Sequence, residues 1–593
     1  MAMSSASGRR AAAKARARAT SAILSKSGIR STEERPKTRS GFVEERKRSI
    51  PSRLAGDRGV RRNQPAAGEE PDQLMPFEYA KQEGRPSDKK VIIVGGGLAG
   101  LMAGWMLASQ NFDVMLLEAR ATVGGRVQTK GAGSRLLEVG GELIGSIHKR
   151  WIKLANYFNL GLSPISTETM YGQQELQLPL RLDKRGRTYE SPSNPNQWDT
   201  DQVYKSLSER ANLVDPFQPW NCAKAHDWDN MSVHDWIEKL RREGKISQDT
   251  ADLLDYELST NQASSTREQS FLGLLAATSG GSYASLAVLT DEERKNDVDT
   301  TPVPYWGDEC ETFRCSSGNQ QLAKELAREC KDAGGRVRTL EAVRTIERTA
   351  GGWQVTTESF PRVRHGKGKR TKPQTSAKGR YSSYQADWIV LAIPPSVFEH
   401  VRFIPSELEK EMRPFARFQT GAAVKYFAPV NDRFWLSEQL APAAQDVSFG
   451  IVWENTDSQN MEKSRPKSLT VFTGGHLAKS SHWKSDPDRY FQDKLGRIYN
   501  GFSEHVDKAG CDFAEWPKFY WTQCGYSCPG KGQVTTLSKA FTEPHGKLVF
   551  AGEHTSTAFF GFMEGALESG LRAARVICER SGLIRHEALP PEA

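Results

Sequence analysis

VIIVGGGLAGLMAGWMLASQNFDVMLLEAR, running from Val91 to Arg120, contains in order an apolar strand, a glycine turn, a helix and a second strand. Val91 to Val94 is a short apolar run of the kind buried in a parallel sheet. Gly95, Gly97 and Gly100 supply the G-x-G-x-x-G spacing. The first glycine permits the tight turn, the second lets backbone approach a pyrophosphate, and the third allows close helix-to-strand packing. The helix N-terminus aims its amides at the phosphates. Glu118 closes the second strand about 20 residues on, where a carboxylate accepts hydrogen bonds from ribose hydroxyls and disfavours a 2′-phosphate. In a chain with 51 glycines the triplet alone is weak. Strand, helix and terminal acid together read as the first βαβ of a Rossmann-type dinucleotide site, with NAD and FAD both open at this point.

The 593 residues leave room for more than one domain, and 37% hydrophobic with 26% charged content is ordinary for a soluble protein. No apolar run approaches the roughly 18–20 residues of a membrane span, so no transmembrane segment is expected. The net charge of +9 is local: residues 1–85 hold 19 basic against 10 acidic residues, and Pro361 to Arg380 adds eight basic residues and no acid. The remainder is mildly acidic, which argues against a nucleic-acid partner for the globular body. Residues 1–85, rich in Ala, Ser and Arg and poor in aromatics, are expected to be a disordered basic tail with a short basic helix near Ala11 to Leu24. The first 32 residues contain no acid, and no apolar region follows Arg9-Arg10. Transit peptide and plain basic tail both fit, and the expected compartment is cytoplasmic, or organellar in the former case. The eight cysteines form no C-x-x-C pair, and His226 and His234 have no third ligand at helical spacing. Reduced structural thiols and no metal site are expected.

Behind the opening unit come ATVGGRVQT, with Gly124, Gly125 and Arg126, and LLEVGGELIGSIHKRW, with Gly140, Gly141 and Glu142. The run LLEARATVGGRVQT after the glycine fingerprint resembles the flavin-dependent amine oxidases, namely monoamine, polyamine and L-amino-acid oxidases. The resemblance implies an α/β chain, α+β overall, with a Rossmann-type FAD-binding domain (86–167, 308–402 and 541–582) and a discontinuous α+β substrate domain (168–307 and 403–540). Residues 361–380 then form a basic loop and 583–593 a C-terminal tail. It also implies that Glu118, Ala119 and Arg120 serve the adenosine end, that Gly125 and Arg126 meet the phosphate and ribityl region, and that Gly141 and Glu142 lie along the flavin. Val343, in LEAVRTI, would hold the adenine, although an ordinary strand-core residue fits the sequence equally well.

Between Trp151 and Asp308 the period turns helical, as in SVHDWIEKLRREGKI with Ser232 as cap, and in SQDTADLLDYELSTN. FRCSSGNQQLAKELAREC, Phe313 to Cys330, reads as a capped helix, and GRVRTLEAVRTIERTAGGWQVTT as strands. The basic run then sits between two strands as a long hairpin loop. In TGAAVKYFAPVNDRFW, Lys425 precedes Phe434 and Trp435 as in the amine oxidases' active-site segment, where the lysine reaches the flavin through a water. An edge-strand lysine facing solvent is the alternative. GKLVFAGEHTSTAFFGFMEGALESGLRAARVI, Gly546 to Ile577, matches the family's closing FAD motif, with Gly552 and Glu553 at the ribityl chain and a helix starting near Phe562-Met563 whose amides face the flavin. That favours FAD over NAD.

Monoamine oxidases set two tyrosines face to face before the flavin. The matching positions here read as Gln523 and Phe562, with Tyr526 near, so Lys425, Phe562, Gln523 and Tyr526 are the expected catalytic set and the tyrosine cage is absent. The cysteine that carries FAD in those enzymes aligns with Thr522, with Cys524 close by, and noncovalent FAD is expected. For the arginine that L-amino-acid oxidases place on a substrate carboxylate, Arg150, Arg314 and Arg433 are unplaced candidates. The expected activity is oxidation of an amine to an imine with reduction of dioxygen to hydrogen peroxide. An L-amino-acid oxidase and a non-catalytic flavoprotein scaffold are the alternatives, and homodimer assembly is left open.

Overall fold

The computed structural model describes residues 89–132, 135–165, 180–181, 198–288, 311–359, 379–456, 467–480, 482–483 and 486–583. The expected N-terminal tail with its short helix, residues 361–378 of the basic run, and 584–593 lie outside the described residues.

Lys90–Val94 forms the centre of a five-stranded sheet ordered Leu548–Phe550, Trp388–Leu391, Lys90–Val94, Asp113–Glu118, Arg336–Thr339, and every pairing in it is parallel. Both faces are covered, which is why its strands are nearly continuous apolar runs. On one face lies the helix Leu98–Ser109, eleven of whose residues are buried because the helices Gln320–Asp332 and Met563–Arg580 pack over it. Small residues permit that crossing: a Cβ on Gly570 would stand 2.4 Å from the Ala99 carbonyl oxygen. On the other face Ile92, Val94 and Leu117 pack with Val355 and Ile346 of a four-stranded sheet, Arg380–Ala386, Gly352–Ser359, Glu341–Thr349, Arg402–Ile404. This is the Rossmann-type architecture the opening stretch predicts. The strands flanking the basic run pair antiparallel up to Ser359 opposite Arg380, so Arg380 belongs to a strand and not to the connecting loop.

A six-stranded sheet forms the second body, ordered Asp512–Glu515, Ala423–Val430, Lys467–Gly474, Gly450–Glu454, Ala443–Asp446, Leu180–Arg181. Lys425 sits opposite Phe472 on one side and Ala514 on the other. It is therefore in an interior strand, and the edge-strand alternative is excluded. Helices Thr200–Ala211, Val233–Arg242, Gln248–Asn261 and Phe271–Val288 enclose a separate apolar core. Ser232 caps the second of these in a reciprocal box with Asp235, as its position before an apolar period predicts. One expected element differs. Phe313–Cys315 is a strand paired with Leu162–Pro164, and the helix begins only at Gln320. The strand depends on a partner about 150 residues away in sequence, which no local period signals.

Candidate active site

One cavity of about 600 Å³ runs between the two bodies. Its first wall is the turn Gly95–Gly97 and the opening of the helix Leu98–Ser109. That helix has no side-chain cap and no acid in its first turn, so its leading amides and dipole are left for an anion. A Cβ on Gly97 would meet nothing within 4 Å, whereas one on Gly100 would lie 2.1 Å from the Gly95 carbonyl oxygen. Gly97 thus opens onto the cavity, and Gly100 lets helix and turn touch.

Glu118 borders the same space. It accepts the Gly96 N–H on one oxygen and the Arg120 N–H on the other, both at 2.7 Å. Each oxygen keeps a lone pair. Burial pushes its pKa up against those two backbone bonds, the condition of a carboxylate short of donors. Arg120 donates to the Gly125 carbonyl at 2.7 Å and holds the second glycine turn. Further along, the Arg126 guanidinium meets Glu553 at 2.6 Å, and Glu553 also accepts from Gly561 N–H at 2.6 Å and the Ser527 hydroxyl at 2.5 Å. Burial raises the Glu553 pKa, but Arg126, His554 and the hydrogen bonds from Ser527 and Gly561 together outweigh it and hold the carboxyl below its ordinary range. Glu553 is thereby a junction for three chain segments.

The far end is a buried charged network. Lys425 Nζ donates to the Glu138 and Gly140 carbonyls, each at 3.0 Å, and to Glu142 Oε2 at 2.7 Å. Glu142 Oε1 accepts from Arg314 Nε at 3.1 Å and from Trp453 Nε1 at 2.8 Å. Burial raises the Glu142 pKa, and Lys425 and Arg314 more than reverse this. Beside it, burial pushes Glu138 up to about 7, although Asn319 N–H and the Thr129 hydroxyl donate to it. Tyr526 lies against Gly561, where an added Cβ would come within 3.2 Å of its ring, and Phe562 follows directly. These two aromatic residues share this end of the cavity with Phe472. Phe562 also packs on the His148 ring at 5.0 Å, and burial holds His148 at about 3, neutral at ordinary pH.

The chain matches the family profile described as flavin containing amine oxidoreductase over residues 98–578. It belongs to that family. A probable flavin-containing monoamine oxidase A of Dictyostelium discoideum is 24% identical over 510 residues, covering 83% of this chain and 97% of the relative. A flavin-containing amine oxidase of Danio rerio is 23% identical over 513 residues, covering 82% and 85%. Among solved structures, cyclohexylamine oxidase from Brevibacterium oxydans IH-35A superposes with a TM-score of 0.63 at 22% identity, covering 83% of this chain and 99% of that one. Wild-type putrescine oxidase bound to putrescine gives 0.63 at 19% identity with the same coverage. This oxidoreductase is accordingly a flavoenzyme acting on amines.

Of the residues expected at the oxidoreductase's site, Gly95, Gly97, Glu118, Ala119, Arg120, Gly125, Arg126, Gly141, Glu142, Val343, Lys425, Tyr526, Gly552, Glu553, Phe562 and Met563 all border the cavity. Gly100 does not, in keeping with its packing contact. Gln523 is a correction. Its backbone is left-handed at φ 51°, it is exposed, and its amide lies 3.0 Å from His400, which lines the cavity, while Gln523 itself does not. Tyr526, and not Gln523, lines the cavity. The position directly before that aromatic is then Gly525, not Thr522, and a Cβ there would press within 2.5 Å of the Ala423 Cβ. Cys524 is buried away from the cavity, its sulfur 3.9 Å from Arg126. The three unplaced arginines all face protein carboxylates: Arg150 meets Glu564 at 3.4 Å, Arg314 meets Glu142 at 3.1 Å, and Arg433 meets Glu454 at 2.7 Å. Sequence reasoning missed Glu138, although it lies in the LLEVGGELIG stretch, and Trp453, which sits in no recognised motif.

Proposed function

We propose that the chain is an FAD-dependent oxidase that binds FAD noncovalently, oxidises a small amine to an imine, and passes the two electrons to dioxygen, giving hydrogen peroxide. Water then converts the imine to a carbonyl compound and ammonia or a smaller amine. The observation that supports it is the continuity of one cavity from the uncapped helix at Gly97, past Glu118 and the Arg126–Glu553 pair, to Lys425. We assign residues 86–167, 308–402 and 541–582 to cofactor binding and 168–307 and 403–540 to the substrate side, the strand Arg402–Ile404 of the four-stranded sheet carrying the chain across that boundary.

Bound FAD would supply the acceptor for the hydride equivalent taken from the carbon beside nitrogen. Glu118 would accept from the adenosine ribose with its remaining lone pairs, Val343 would border the adenine, and the Gly97 amides would hold the pyrophosphate. Arg126 would offset phosphate charge, and the helix Met563–Arg580 would aim its first amides at the pyrimidine edge. Tyr526, Phe562 and Phe472 would exclude water from the substrate. Gly525 offers no thiol at the attachment position and no room for one, which favours a releasable cofactor. The pairing of Arg150, Arg314 and Arg433 with internal carboxylates favours an amine over an L-amino acid.

The test is purified protein, its pigment released by acid and identified by chromatography, and peroxide measured with a panel of amines, polyamines and L-amino acids. FAD in the supernatant and peroxide with amines are expected. Protein that takes up no FAD overturns the cofactor assignment, and flavinated protein silent on the whole panel overturns the oxidase in favour of a scaffold.

A further inference from the structure

The substrate end contains several groups able to bind an amine, and their hydrogen bonds distinguish them. An ammonium has three N–H donors. Lys425 spends all three on Glu138 O, Gly140 O and Glu142 Oε2, so it has none to offer a ligand. Trp453 Nε1 is spent on Glu142, and Arg314 Nε and Nη2 are spent on Glu142 and the Glu454 carbonyl. Glu142 differs. A carboxylate accepts about four hydrogen bonds, and Glu142 accepts two on Oε1 and one on Oε2. It is 5% exposed, borders the cavity, and is clamped from three elements, the strands carrying Arg314, Lys425 and Trp453. The same cavity is lined by the apolar Ile165, Ala443, Ile451, Phe472 and Phe562 and by the polar Asn261, Gln262, Glu311 and Glu454, the last of which is already held by Arg433.

We propose that Glu142 is the amine-binding residue of this enzyme: the remaining lone pair of Oε2 accepts an N–H of the substrate, which is an amine carrying at least one N–H on an apolar body. This rests on the oxidase reading above and adds to it a specific acceptor and substrate class. It also moves Glu142 from cofactor contact to substrate contact. Lys425 and Arg314 then act on the substrate through Glu142, by fixing the direction of its carboxylate.

Glu142→Gln alone would leave Lys425 and Arg314 facing each other without their shared counter-charge, so the comparison is made in a Lys425→Met background, where one cation has gone with its partner. Flavin-loaded K425M and K425M/E142Q, matched for flavin content, are titrated anaerobically with cyclohexylamine and with N,N,N-trimethylcyclohexylammonium, which keeps the charge and has no N–H. Binding is read from flavin spectral perturbation and from thermal shift. Cyclohexylamine is expected to bind K425M at least roughly tenfold more tightly than K425M/E142Q, the loss of one charge-assisted hydrogen bond. The trimethyl compound is expected to show no such difference. Equal cyclohexylamine affinity for the two variants, no binding to either, or equal sensitivity of the trimethyl compound overturns the proposal. If wild-type protein still yields peroxide with amines, the oxidase reading survives that failure; if it oxidises L-amino acids alone, both fall.

Discussion

Glu138→Gln is expected to stabilise the enzyme above neutral pH. Glu138 is 5% exposed, and burial pushes it up to about 7 from the model-compound value of 4.5. The folded state therefore binds more protons than the unfolded state between those two values, so wild-type stability is fully present below about 4.5, falls as pH rises, and levels off above 7. The interval of about 2.5 pKa units corresponds to roughly 3 kcal/mol at about 1.4 kcal/mol per unit. Glutamine keeps the shape and suits the neighbours: its carbonyl can accept the Asn319 N–H, held at 2.7 Å, and its amide can donate to Thr129 Oγ1, at 2.9 Å. For a chain of this size the unfolding entropy is on the order of 1 kcal/mol/K, which converts the gain to a Tm increase of about 3 °C at pH 8. At pH 5 the variant and wild type should melt together. Differential scanning calorimetry of flavin-loaded protein at the two pH values reads this directly. A variant that melts lower than wild type at pH 8, or whose advantage does not change between pH 5 and pH 8, would show that Glu138 carries no ionisation cost.

Gly100→Val should abolish flavin uptake, since even a Cβ falls 2.1 Å from the Gly95 carbonyl oxygen; the ratio of visible to ultraviolet absorbance measures it. Glu553→Gln should cost up to about 3 kcal/mol by leaving half-buried Arg126 without its counter-charge. Because Arg126 and the other groups around Glu553 together outweigh burial and hold its folded pKa below the ordinary carboxylate range, the stability it contributes is present above that range and lost on acidification below it. Thermal melts from pH 6 to pH 3 should accordingly fall less steeply for E553Q than for wild type. Cys524→Ser should leave flavin just as releasable by acid precipitation as in wild type, because its thiol points to Arg126 and not into the cavity; pigment retained by wild type and freed only by the variant would refute this.

The half of the cavity proposed to take the adenosine was legible because its chemistry is local. Gly95, Gly97, Gly100 and Glu118 fall within 24 residues, each required by the turn, the helix start or the strand end. The half proposed to take the substrate was only partly legible. Lys425 betrayed itself as a charge in an apolar strand, but its partner Glu142, and the Arg314 and Trp453 that in turn donate to Glu142, come from distant segments and share no spacing with it. Glu142 consequently reads as one more cofactor contact, when its bonds go to protein side chains. Gln523 misled for a different reason. Register in the loop Trp521–Tyr526 turns on one left-handed residue, and nothing in a non-glycine side chain announces positive φ. The same loop decides whether Gly525 or Thr522 precedes the cavity's aromatic residue, and hence the expected mode of flavin retention.

The cavity's walls come from positions as far apart as Gly95, Val343, Lys425 and Glu553. Translation therefore delivers the Gly95–Gly97 turn hundreds of residues before the Glu553 junction, and the nascent chain has no complete pocket while most of it is being made. Cofactor capture must wait for the segment carrying Glu553 and the helix after it. A premature stop anywhere upstream should give a colourless product, and flavin scarcity in the cell should show as a pool of finished but incompletely locked chains open to proteolysis.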